Sequence, residues 1–111
     1  MLRFIALPVF FLIATPALAQ GVQGNWACRS ASGNAGLLTI YGSSYGFASP
    51  TSGDKVSGSG AVQGYTDGVA FLDGQLKATL GVEAGRTVTV DSGAGLQLET
   101  STEVLMLCTP L

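Results

Sequence analysis

Glycine punctuates this chain from position 21 onward: all 16 glycines lie there, about one in every five or six residues. Such a density opposes helices, in which each interior glycine costs about 1 kcal/mol relative to alanine. After Ala19 no run of eleven or more residues places apolar side chains at helical spacing. What remains is a series of short alternating runs between turn signals, the pattern of antiparallel strands.

The first such run is Val22 to Arg29, with Trp26 and Cys28 on one face, and the second is Gly36 to Tyr41. Gly42-Ser43-Ser44 turns into Tyr45 to Ala48, and Ser49 to Asp54, with Pro50 and Gly53, reads as an exposed loop. Val56 to Tyr65 is a glycine-rich strand with Val56, Gly58, Gly60, Val62 and Gly64 on one face, leaving room there for a large neighbour. Asp67-Gly68 and Asp73-Gly74 are hairpin signals of the type that needs positive φ. Leu76, Ala78, Leu80 and Val82 alternate as a further strand, and Glu83-Ala84-Gly85 turns the chain. Thr87 to Val90 alternates again, Ser92-Gly93-Ala94-Gly95 turns, and Leu96 to Glu99 follows. Val104 to Thr109 is apolar on both faces, which suits a strand covered on both sides.

Connections this short force neighbouring strands to pair antiparallel, because a parallel crossover needs a dozen residues. The expected fold is therefore all-β: a meander of about eight strands closed, or nearly closed, into a small barrel, with a β-sandwich as the rival architecture.

The amino terminus reads differently. Arg3, an apolar run from Phe4 to Ala14 and the small-x-small tripeptide Ala17-Leu18-Ala19 are the three regions of a secretory signal. Pro8, Thr15 and Pro16 interrupt the run well short of the ~20 apolar residues of a membrane span. The expectation is residues 1–19 as signal peptide, cleavage near Ala19, and residues 20–111 as one domain in a periplasm or outside the cell, not spanning a membrane. In that compartment Cys28 and Cys108 are expected to form a disulfide. It closes a loop of about 80 residues and stabilises by roughly 4–5 kcal/mol in the chain-entropy model. The bridge ties the first strand to the last, which favours closure of the sheet.

Composition excludes much chemistry. The chain has no histidine, hence no Ser-His-Asp triad, Cys-His pair or histidine-ligated zinc. Four basic residues (Arg29, Lys55, Lys77, Arg86) against seven acidic ones after Ala19 give a formal charge of −3 and no footprint for nucleic acid. Asp67 and Asp73 precede glycine, where aspartate serves turns. Glu99 and Glu103 flank a Thr-Ser-Thr turn, but a glycosidase pair also needs an elongated cleft. Gly58-Ser59-Gly60 lacks the lysine and the helix start of a phosphate loop. No metal site, cofactor or catalytic residue is expected. Trp26, Phe47 and Phe71 read as core, whereas Tyr41, Tyr45 and Tyr65 beside glycine-rich turns are placed to line a barrel mouth or to anchor a partner.

Gly24-Asn25-Trp26-Ala27-Cys28, Leu38-Thr39-Ile40-Tyr41, Ser57-Gly58-Ser59-Gly60-Ala61, Tyr65, Phe71 and Ala78-Thr79-Leu80 follow one another in an order that resembles the periplasmic inhibitors of c-type lysozyme. That resemblance implies a small antiparallel barrel presenting a serine and a nearby lysine to the lysozyme cleft. Ser59 corresponds to the serine. The lysine's place is held by Asp73, with Lys77 as its displaced substitute. Barrel-type inhibitors of secreted metalloproteases share the Gly-x-Trp start and a single disulfide, but their bridge is short-range. The expected function is an exported, non-catalytic binding protein whose partner is another protein, lysozyme or a different hydrolase, with Ser59, Tyr65, Tyr45 and Lys77 as partner-binding residues. The alternatives are a carrier of a small apolar ligand and a structural envelope protein.

Overall fold

The computed structural model describes residues 20–91 and 93–111; the expected signal peptide lies outside the described residues. A 3-10 turn, Gln20–Val22, precedes eight strands: β1 (Gly24–Ser30), β2 (Gly33–Tyr41), β3 (Ser44–Ala48), β4 (Gly58–Tyr65), β5 (Gly68–Phe71), β6 (Ala84–Val90), β7 (Gly93–Glu99) and β8 (Val104–Pro110). Each pairs antiparallel with the next, and β8 pairs with β1, so the meander closes into a barrel and the sandwich falls away. A six-residue helix, α1 (Gln75–Leu80), sits between β5 and β6.

Closure depends on the first and last strands. Cys28 and Cys108 stand directly opposite each other in the β1–β8 ladder and are bonded, S–S 2.04 Å, across a sequence separation of 80. The Leu111 N–H donates to the Asn25 carbonyl at 3.0 Å. From Leu107 onward the odd-numbered residues of β8 therefore direct their backbone groups at β1, since successive residues alternate there. The donor that Pro110 lacks thus points away from β1, on the side where the ladder to β7 has already ended at Leu96↔Cys108. Proline is tolerated there because no hydrogen bond is lost.

The alternation read from the sequence fills the interior. Trp26, Leu38, Ile40, Tyr45, Phe47, Val62, Val69, Phe71, Leu96, Leu98 and Met106 are buried in one cluster around the disulfide. At about 1.5–3 kcal/mol per fully buried large apolar side chain, this cluster is the main favourable contribution to the fold. The Tyr45 hydroxyl and the Trp26 indole are the polar groups carried inside, and both are hydrogen-bonded.

Several expected boundaries shift, each for a local reason. Thr66 and Asp67 make the β4–β5 turn, while Gly68 begins β5 with φ 148°. Its glycine serves close approach, because a Cβ at 68 would collide with the Gly85 carbonyl oxygen. Asp73-Gly74 is not a hairpin, and Leu76 to Val82 is not a strand. The chain turns into α1 instead, ending at Gly81 (φ 76°), whose N–H bonds the Lys77 carbonyl in a left-handed cap. A helix of six residues is too short to show a 3.6-residue period, so its leucines read as period two. Glu83-Ala84-Gly85 leads into and begins β6, and Gly93 to Gly95 belong to β7 rather than to a turn. Val56 lies in the loop before β4 yet is buried. β8 is not covered on both sides: Val104 and Leu107 are 53% and 38% exposed on the outer face.

Candidate binding surfaces

The glycine-rich inner face of β4 is filled from within. Tyr45 is fully buried, stacked edge-on against Phe71 with ring centroids 5.1 Å apart. A Cβ on Gly60 would lie 2.6 Å from its ring. The Tyr45 hydroxyl donates to the Asp73 carbonyl and accepts the Leu76 N–H, each at 3.3 Å. Burial, foremost, raises its pKa above the ordinary tyrosine value. The Asp73 carboxylate accepts the Ala61 N–H at 2.7 Å. These bonds seat α1 at the barrel end, where Leu76 and Val82 are buried. Tyr45 is thus an internal strut and has no surface to offer a partner, which corrects its expected role.

The other expected residues are exterior but separate. Ser59, Ala61, Gln63 and Tyr65 share the outer face of β4, opposite the inward Gly60, Val62 and Gly64. Six residues of strand put Ser59 and Tyr65 about 20 Å apart. Ser59 is an exposed strand residue paired with Gly46, not the tip of a loop. Lys77 lies on α1 in an ion pair with Glu83 at 3.4 Å. The three do not form one site.

Tyr65, 58% exposed, does line a notch of about 140 Å³ with Asp67, Gly68, Ala70 and Arg86. Arg86 is fixed by a fork onto Glu99, with Nε at 2.9 Å and the second nitrogen at 3.1 Å. Gln97 donates to the same carboxylate at 2.9 Å. Hydrogen bonding from Arg86 first, then from Gln97, holds Glu99 below the ordinary carboxylate range, and Glu99 in turn raises Arg86. Glu99 is therefore engaged in orienting an arginine rather than paired with Glu103. Sequence reading missed this notch, because Arg86 comes beside the Tyr65–Gly68 turn only through the register Gly68↔Arg86.

The loop between β3 and β4 is pinned rather than free. Ser49 donates to Asp54 at 2.8 Å, Asp54 accepts the Val56 N–H at 3.1 Å, and Ser57 accepts the Ser49 N–H at 2.9 Å. The Ser49 hydroxyl is the main cause holding Asp54 below its ordinary pKa. Ser52 and Lys55, spaced as S-x-x-K, fall in this exposed loop and not on a helix, whose single turn would stack them. Among the described residues no cluster of three or more His, Cys, Asp or Glu is arranged to hold a metal, and no helix is long and apolar enough to cross a membrane.

No protein-family model, no curated protein and no solved structure matches this chain.

Proposed function

We propose that this protein is an exported, non-catalytic binding module that meets a partner protein on its outer surface, in the manner of a small barrel inhibitor. The observation that carries this reading is the packing of Tyr45 and the core cluster into the interior. The Tyr45 ring takes the space over Gly60 that a small ligand would need. Val22 of the amino-terminal turn is buried at one end of the barrel, and α1 with Leu76 and Val82 covers the other. Recognition then falls to exterior side chains, and a half-exposed tyrosine beside an oriented arginine is the kind of anchor around which protein interfaces concentrate their energy. The Cys28–Cys108 bridge supports an oxidising compartment, in keeping with removal of residues 1–19 at a membrane. A carrier of apolar molecules is the alternative, and it has less room here.

The test is lysis by a c-type lysozyme in the presence of the mature, oxidised chain. Inhibition that falls about tenfold or more with Tyr65→Ala supports the reading. Lysis unchanged by the wild-type chain at micromolar concentration removes c-type lysozyme as the partner. Uptake of an apolar fluorescent probe by the folded chain favours the carrier. Amino-terminal sequencing of the exported form is expected to begin at Gln20.

A further inference from the structure

Three residues stand in one row across the wall beside the notch: Tyr65 of β4 pairs with Gly68 of β5, and Gly68 pairs with Arg86 of β6. Tyr65 and Arg86 are exposed on the outer face, while their neighbours Gly64 and Gly85 lie on the buried side. Strands two apart in a sheet are about 10 Å from each other, and Gly68 places no side chain between them. The space is about 140 Å³, room for roughly five groups the size of a water molecule. That is the volume of one side chain, well short of the ~300–1,000 Å³ of a small-molecule pocket.

Charge decides which side chain. Arg86 spends Nε and a second nitrogen on Glu99, so its charge is already matched. Asp67 adds a second carboxylate at the notch. Beyond the dominant bonds to Glu99, Asp67 also favours the charged form of Arg86, without forming an ion pair with it. The Asp67 carbonyl is engaged by Thr87, but its carboxylate has no hydrogen-bond partner among the described residues, and neither has the Tyr65 hydroxyl. A carboxylate entering toward Arg86 would therefore meet two others. An aromatic ring could stack on Tyr65 but would strip water from Asp67 and return nothing to it. A lysine answers both groups. Its four-carbon stem packs along the Tyr65 ring while the ammonium meets the ring face and the carboxylate, and four methylenes with one nitrogen match the volume. The formal charge of −3 after Ala19 steers a basic partner in the same sense.

We propose that the Tyr65 notch receives a lysine side chain of the partner protein, held between the Tyr65 ring and the Asp67 carboxylate. This rests on the binding-module reading above and adds the chemistry of what the module grips.

The probe is a pentapeptide, Gly-Ser-Lys-Ser-Gly, blocked at both ends and titrated into the isotope-labelled, oxidised mature chain, with backbone amide shifts as the readout. The comparison is the same peptide acetylated on its lysine, which keeps the stem and removes the charge. Shifts are expected at the amides of Tyr65, Gly68 and Arg86, saturating in roughly the millimolar range that one side chain supports, with the acetylated peptide several-fold weaker. Asp67→Asn and Tyr65→Leu each weaken binding about two- to fivefold, and Tyr65→Phe, which keeps the ring, leaves it unchanged. Both positions are exposed, and unfolding curves matching the wild type establish that each variant folds. Silence at those amides at tens of millimolar peptide, equal binding of the acetylated peptide, or undiminished binding by Asp67→Asn overturns the proposal. No partner protein enters this titration, so it stands apart from the lysis assay. Tyr65-dependent inhibition of lysozyme with no lysine binding leaves the module reading intact and ends this proposal; lysine binding without inhibition upholds the notch and removes only lysozyme.

Discussion

The two ends of the barrel are closed by different kinds of contact. At one end the plug is local: Val22 sits in a 3-10 turn four residues before Trp26, whose indole N–H holds the Val22 carbonyl at 2.9 Å. At the other end α1 is seated by contacts from far along the chain, with Tyr45 reaching Leu76 across 31 residues and Asp73 reaching Ala61 across 12. The indole–carbonyl bond of the local plug spans four residues and needs only β1, although the turn also packs on β5. The helical plug exists only once β3, β4 and β5 have assembled, so each end fails in response to different substitutions.

The largest effect is expected from removing what both ends share. Cys28→Ala with Cys108→Ala should cost about 2–5 kcal/mol, much of the stability of a domain this size, and both ends should open together in amide exchange. Gly60→Ala comes next, because its Cβ has no room beside Tyr45 and the Asp73 carbonyl at 2.7 Å. A loss of about 1–3 kcal/mol is expected in denaturant unfolding, with exchange raised first at the α1 end. Tyr45→Phe removes only the hydroxyl and should cost about 1 kcal/mol, a fall in Tm of about 4–8 °C. Its exchange signature should be confined to α1 and should leave Val22 and Trp26 unaffected. If that variant loosens both ends equally, the contrast between them is wrong.

The smallest effect concerns the Arg86–Glu99 fork. Glu99 titrates lower in the folded chain than its ordinary value of about 4.3. Its contribution is therefore complete above that value and is lost as pH falls through the lower folded one. Glu99→Gln should lower Tm by a few degrees at most at neutral pH, and the gap from wild type should close in acid. A gap that persists at pH 2 would mean that Glu99 acts through packing alone.

How legible each end was follows from the same contrast. Trp26 and Cys28 declared their inward face by alternation, and the bridge to Cys108 followed from the compartment that residues 1–19 suggest. The α1 end was misread because Leu76, Ala78, Leu80 and Val82 mimic a strand, and the bond that overrides the mimicry comes from Tyr45. Tyr45 itself looked like a mouth residue. A tyrosine beside glycine reads as exposed until one knows that the glycine facing it, Gly60, belongs to another strand.

By itself the sequence determined an antiparallel all-β chain, its approximate strand number and the pairing of its cysteines, because alternation, short turns and cysteine count act within a few residues or through one covalent bond. Only the tertiary structure decided that Tyr45 occupies the space over Gly60 and that Tyr65 and Arg86 share a notch. Those properties depend on strand register, and register is set by the closing of the whole sheet.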